Sequence, residues 1–196
     1  MSPSNRVGWI TLAFLAALGF VLGVCSRAHA DYSHLAERVT ALVPRLGSRS
    51  AELVEPIESG NALAQACSQD RDCVARLLTM AVMESALSAA VARSEYKAHE
   101  GDAYTDRDGV RQHRAWGTYQ QHRNQLNADV WGDPDPLVQA RAARARQLGA
   151  LAECRAFRSV DPEVGMWRVL AGRGCLSPYS GEGARVALLA KIRRLL

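Results

Sequence analysis

The chain has 196 residues, of which 48% are hydrophobic and 22% charged, enough for one well-buried domain and too few for two large ones. Its 24 basic residues exceed its 20 acidic ones by four, an excess too small for the large basic patch that nucleic-acid binding requires. The composition is that of an ordinary globular protein.

The first thirty residues contain no acidic side chain, and Val7 to Val24 carry no charge. Arg6 precedes this apolar run, and Ala28-His29-Ala30 follows it with the small-residue pattern of a cleavage site before Asp31. Residues 1–30 therefore read as a secretory signal peptide and residues 31–196 as a single exported domain, periplasmic or secreted. The run is long enough to suggest an uncleaved anchor as the alternative, and only that alternative implies a membrane. Cys25 is not read as a lipid-attachment site, because Val24 is bulkier than the residue a bacterial lipoprotein signal carries there. Loss of Arg6 and Arg27 leaves 22 basic against 20 acidic residues, a net charge of +2.

The mature segment is helical almost throughout, with helices expected over 33–43, 49–58, 60–68, 71–91, 136–153, 162–171 and 183–195. Asp70 or Asp72 can cap the fourth. Asp135 with Pro136, and Asp161 with Pro162, mark two further starts, and Gly172 or Gly174 a stop. Arg141, Arg144 and Arg146 are expected to form a solvated face. Between the fourth and fifth helices, Ser94 to Arg114 is polar, contains Gly101 and Gly109, and predicts a small hairpin or irregular loop. No repeat or low-complexity segment interrupts this order.

Four cysteines remain after export: Cys67, Cys73, Cys154 and Cys175. In an oxidising compartment an even number suggests two disulfides. Cys67 with Cys73 and Cys154 with Cys175 is the simplest of three possible pairings. The spacings lack a zinc-binding rhythm, with His99, His113 and His122 falling outside any ligand pattern. Asp106-x-Asp108-Gly109 departs from a calcium loop, since Tyr104 holds the place of the first acidic ligand and no glutamate closes it. No metal or other cofactor is implied, nor any phosphate-cradling loop or serine-hydrolase ordering.

Chemistry concentrates at Glu84, in the apolar run Met80-Ala81-Val82-Met83-Glu84-Ser85-Ala86-Leu87. Val74, Leu77, Leu78, Ala81 and Val82 recur at the spacing of one helix face, and Glu84 lies at the edge of that stripe. A carboxyl in such a setting has its charged form disfavoured and can hold a proton near neutral pH, the requirement for a general acid. The structural alternative is a helix-end glutamate paired with Arg93 or a downstream arginine.

The order of parts carries more than any one of them: Glu84-Ser85 at a helix end, then a polar glycine-bearing loop, then Trp116-Gly117-Thr118-Tyr119-Gln120, then Pro178-Tyr179-Ser180-Gly181-Glu182-Gly183. This order resembles the lytic transglycosylase and goose-type lysozyme superfamily over about residues 70–195. The resemblance implies a mainly α, lysozyme-like domain with a small irregular or hairpin loop beside its cleft. It also implies cleavage of the β-1,4 bond between N-acetylmuramic acid and N-acetylglucosamine in peptidoglycan glycan strands, with Glu84 as general acid and base. Ser85, Trp116, Gly117, Tyr119, Gln120 and Tyr179 become the expected substrate-binding residues. Gly117 would admit the sugar close to the backbone, Gln120 would meet acetamido or hydroxyl groups, and the aromatics would offer stacking faces. Tyr179 is placed to reach back to Glu84.

The chain departs from the family at Thr118-Tyr119, where Leu-Met is frequent, and at Ser180, where asparagine is usual. It also lacks a motif for a second acid, which favours a transglycosylase over a lysozyme-type hydrolase. For a hydrolase, Asp102, Asp106 and Asp108, or Glu95 and Glu100, would be the candidates. A catalytically inactive glycan-binding protein and a tethered structural envelope protein are the readings from other classes.

Overall fold

Carboxylates immediately before the helices set where most of them begin. In the computed structural model, which describes residues 34–93, 103–105, 109, 111–113, 115–122 and 129–196, helix α1 covers 34–46. Glu55 accepts from the Ile57 backbone N–H at 3.3 Å at the start of α2 (Pro56–Ala66). Asp70 accepts from Asp72 and Cys73 at 2.9 and 3.1 Å at the start of α3 (Arg71–Ser85). After the single turn of α4 (Ala89–Ala92), Asp135 caps α5 (Pro136–Cys154) and Asp161 caps α6 (Pro162–Leu170). Each of these side chains satisfies N–H groups that the helix itself cannot pair. Pro56, Pro136 and Pro162 occupy first-turn positions, where a missing N–H costs nothing. Helix α7 (Glu182–Leu195) follows Gly181.

Two expected boundaries move. The helices expected at 49–58 and 60–68 are one, α2, with Gly60 inside it. A Cβ at Gly60 would collide with Thr40 Oγ1 and the Ala36 carbonyl, so glycine here marks the close approach of α1 and α2 and not a break. The helix expected at 71–91 ends at Ser85, because Ala86 and Leu87 are both left-handed, with φ of 51° and 58°. Backbone bonds fix this exit: Ser48 N–H to the Ala86 carbonyl at 3.0 Å, Val54 N–H to Leu87 at 2.9 Å, and Ala89 N–H to Glu52 at 2.8 Å. These long-range bonds are invisible to helical periodicity.

The protein is mainly α-helical. Helix α3 buries Val74, Leu77, Leu78 and Met80 in the core of the compact unit Leu35–Leu196, and packs on Leu189 and Ile192 of α7. Helix α5 packs on both α2 and α6 through small residues, among them Ala140, Ala143 and Ala150. Two antiparallel hairpins complete the described elements. In the first, β1 (Ala103–Thr105) pairs with β2 (Arg111–His113), aligning Tyr104 with Gln112. In the second, β3 (Ala115–Trp116) pairs with β4 (Gln121–His122). The first hairpin lies within the segment expected to form one. Glu95, Glu100, Asp102, Asp106 and Asp108 lie outside the described residues, as does the apolar run Val7–Val24. Among the described residues no helix is long and apolar enough to cross a membrane.

Disulfides join Cys67 to Cys73 and Cys154 to Cys175, the simplest of the three pairings. The first closes the turn between α2 and α3, and the second ties the end of α5 to the segment after α6. Ion pairs knit the same helices. Arg193 of α7 binds Glu163 of α6 through both oxygens at 2.7 and 2.8 Å and Asp72 of α3 at 2.9 Å. Arg168 of α6 grips Glu182, the first residue of α7, at 2.6 and 3.0 Å.

Removing Cys154–Cys175 by paired alanine substitution is expected to lower stability by about 3 kcal/mol and removing Cys67–Cys73 by about 2 kcal/mol, following loop length; urea unfolding of each variant checks the order. The Arg168 hydrogen bond holds the Glu182 carboxyl below its ordinary range. Its stabilisation is therefore present above the ordinary carboxylate value and is lost as pH falls through the lowered one. Unfolding midpoints of wild type and Glu182→Gln should accordingly converge as the pH is lowered; a constant gap across the acid range would remove this linkage.

Candidate functional site

Glu84 lies in the last turn of α3, one turn beyond Met80, and both side chains line a cavity of about 410 Å³. The other walls come from Tyr119, Gln120 and His122 of the second hairpin, Arg146 of α5, Leu170, Ala171 and Gly172 at the end of α6, and Arg185 in the first turn of α7. Its size falls in the range of small-molecule sites. Among the residues expected from sequence, the cavity thus joins Glu84, Tyr119 and Gln120.

The hairpin tip is held from behind by Gln139. This buried side chain accepts from Thr118 N–H at 2.8 Å and donates to the carbonyls of Asp133 at 3.2 Å and Ala92 at 3.3 Å. Trp116 Nε1 donates to the Asp133 carbonyl at 3.1 Å, and Trp131 Nε1 to Gln121 at 3.3 Å. The tip itself is two left-handed residues, Gly117 with φ 67° and Gln120 with φ 45°. The Gln120 backbone N–H and side-chain Nε2 both donate to the Gly117 carbonyl, at 3.1 and 2.9 Å. A non-glycine residue in this conformation is strained and is retained because the surroundings over-determine it. Gln120 is thereby fixed at the cavity wall.

Several expected roles change. Trp116 is only 2% exposed and lies away from the cavity, so it anchors the hairpin and presents no stacking face. A Cβ on Gly117 would collide with the Gln139 amide, so the glycine serves internal packing and not the approach of a sugar. Ser85 is buried; its hydroxyl donates to Ala81 at 2.8 Å and accepts from Leu87 N–H at 3.2 Å, which shapes the end of α3. Tyr119 does line the cavity but is 4% exposed, and burial raises its hydroxyl far above the ordinary value, keeping it a neutral phenol.

The setting of Glu84 also differs from an apolar pocket. Its side chain is 25% exposed and its Oε1 pairs with Arg185 Nη2 at 2.5 Å, so a downstream arginine, not Arg93, is the partner. The Arg185 guanidinium lies between two rings, 5.8 Å from the centre of Trp167 and 5.9 Å from that of Tyr179. Tyr179 therefore meets Arg185, the partner of Glu84. Gly181 makes room for that ring, since a Cβ there would press on Tyr179. Burial raises the Tyr179 hydroxyl, with the Arg185 charge opposing the shift.

Arg146 completes the charged set. Its Nη2 donates to the Leu170 carbonyl at 3.1 Å, and its guanidinium value is lowered by burial, with Glu84 opposing that shift and Arg185 adding to it. Of the arginines expected on a solvated face, Arg141 is exposed, whereas Arg144 turns inward to the Ala66 carbonyl at 2.8 Å and Arg146 to the cavity. Sequence reasoning missed Arg146, His122, Arg185 and the Leu170–Gly172 wall. The available signal for Arg146 was the alanine-rich inner face of α5, which leaves space beside it for a long side chain. Among the described residues no His, Cys, Asp and Glu group could hold a metal ion.

Comparison of the chain with protein families, with curated proteins and with solved structures finds no match.

Gly117→Ala is expected to destabilise the protein by about 1–3 kcal/mol, because it both forces φ and overpacks against Gln139. A double-mutant cycle with Gln139→Ala, read by denaturant unfolding, should give a non-zero coupling; additive effects would show that conformation alone is responsible.

Proposed function

We propose that the protein is an exported, lysozyme-like peptidoglycan-cleaving enzyme of the lytic transglycosylase type, with Glu84 as general acid and base. The observation that supports this reading most is the convergence of Glu84 at the end of α3 with Tyr119 and Gln120 of the hairpin tip on one cavity. These parts lie 35 and 36 residues apart in sequence, in the order that the family resemblance implies. The two disulfides accord with an oxidising compartment.

In this mechanism protonated Glu84 gives its proton to the glycosidic oxygen between N-acetylmuramic acid and N-acetylglucosamine as the C1–O bond breaks. Positive charge develops at C1 and the ring oxygen. The muramic acid C6 hydroxyl then attacks C1 and returns its proton to the Glu84 carboxylate, leaving a 1,6-anhydro end and regenerating the acid. No second carboxylate is required. Gln120, fixed through Gly117, supplies a planar amide beside the reacting sugar, and Tyr119 a neutral phenol wall.

A second reading, a glycan-binding protein without turnover, is favoured by one observation: the Arg185 guanidinium on Glu84 is a partner for a carboxylate, not for the protonated acid. Product analysis separates the two. After incubation with peptidoglycan, mass spectrometry should find soluble fragments ending in 1,6-anhydro-muramic acid. Glu84→Gln should reduce their formation by at least about 10²–10⁴-fold in protein that circular dichroism shows to be folded, with some loss of stability from unpairing Arg185. Reducing muramic ends would mean hydrolysis, and binding without fragments would establish the non-catalytic reading.

A further inference from the structure

Among the described residues, those lining the Glu84 cavity carry more positive charge than they neutralise. Two guanidinium groups, Arg146 from α5 and Arg185 from α7, stand around one carboxylate. The Glu182 carboxylate, in the same first turn of α7 as Arg185, is already matched by its two-pronged contact from Arg168. Among the described residues, the remaining titratable side chains on the walls are His122 and Tyr119, with Tyr179 against Arg185. None of these supplies a second negative charge near neutral pH.

The two cations are also poorly satisfied. Arg185 Nε and Nη1 are buried without a hydrogen-bond partner among the described residues, and the guanidinium lies over the rings of Trp167 and Tyr179. Arg146 is partly buried, and among the described residues its hydrogen bond is to a main-chain carbonyl, which brings no charge. Burying cationic groups beyond the number of their counter-ions costs free energy that a bound anion would recover. Guanidinium groups are suited to a carboxylate, whose two oxygens match their paired donors.

We propose that Arg146 and Arg185 form an anion subsite beside Glu84 that takes the carboxylate of an acidic sugar, which on the proposed function is the lactyl ether of N-acetylmuramic acid. The inference rests on that reading for the identity of the sugar, and on the charge imbalance for the carboxylate. It makes the cavity discriminate between muramic acid and N-acetylglucosamine, which differ by that group. A ligand carboxylate at Arg185 would compete with Glu84 for the guanidinium, so an acidic sugar in the cavity would loosen the Glu84–Arg185 pair.

The test uses the disaccharide of N-acetylglucosamine β-1,4-linked to N-acetylmuramic acid, which lacks the bond the proposed enzyme cleaves, so the wild-type protein can be titrated at equilibrium. Calorimetry should show it binding about tenfold or more tightly than the same disaccharide with its carboxyl reduced to an alcohol, consistent with one charge-assisted interaction. The difference should shrink as salt is raised. Arg146→Gln should abolish the preference, while Arg146→Lys, which keeps the charge, should retain part of it. The comparison of the two ligands on the wild type needs no variant to fold.

Equal binding of the charged and reduced disaccharides would overturn the subsite, as would a preference unchanged in a folded Arg146→Gln. Equal binding alongside Glu84-dependent cleavage of peptidoglycan would remove the subsite and leave the proposed function standing. Preference for the charged disaccharide without any cleavage would keep the subsite and remove the enzymatic reading.

Discussion

The contact between Glu84 and Arg185 joins the end of α3 to the beginning of α7, and the cavity is organised around it. Both partners are largely withdrawn from solvent, at 25% and 11% side-chain exposure. Removing one partner of a fully buried pair costs about 3–5 kcal/mol, because the other is left charged and unpaired. Residual exposure at Glu84 reduces that figure here. Such a pair adds less net stability than its geometry suggests, since the desolvation of both ions offsets their attraction. What it does supply is position. Arg185 is clamped between Trp167 and Tyr179, and the carboxylate it holds is thereby set relative to α6 and the segment before α7.

The opposite wall is positioned by neutral hydrogen bonds. Gln139 on α5 joins the hairpin tip, the Asp133 carbonyl and the end of α4 with one side chain, using both ends of its amide. It is buried, so each unmade bond would cost the desolvation of a polar group, and this enforces one arrangement. Gly117 exists in that arrangement because the amide occupies the space a side chain would need. The cavity therefore has one wall held by charge, between α3 and α7, and one held by a buried amide on α5, the helix that also carries Arg146.

The helices were legible in the sequence to the extent that their starts were chemical. Asp70, Asp135 with Pro136, and Asp161 with Pro162 mark real starts, because capping is a local interaction between residues close in the chain. Gly60 and the 86–87 exit misled because their causes are distant: a neighbouring helix in one case and bonds to residues 48–54 in the other. The site follows the same division. Glu84, Tyr119 and Gln120 are distinctive in their local setting and meet at the cavity. Trp116, Gly117 and Ser85 have the same residue types a sugar site would use, yet bury them in the scaffold, and type alone cannot separate these fates.

The arginines show why the charge of the cavity was the least legible feature. A basic residue on a helix is ordinarily solvated, and the spacing of Arg141, Arg144 and Arg146 gives no sign that the face changes between them. Two of the three turn inward because the alanine surface of α5 leaves lateral room, and each long stem can cover apolar surface while its head finds a carbonyl at a helix end. Arg144 stops at the end of α2 and serves the scaffold. Arg146, two residues on, reaches the end of α6 where the cavity opens, and there it meets the already paired Arg185. The same structural habit therefore yields a tie between helices at one position and a charge facing a cavity at the next. Position relative to the Glu84–Arg185 pair, and not the arginine itself, makes the difference.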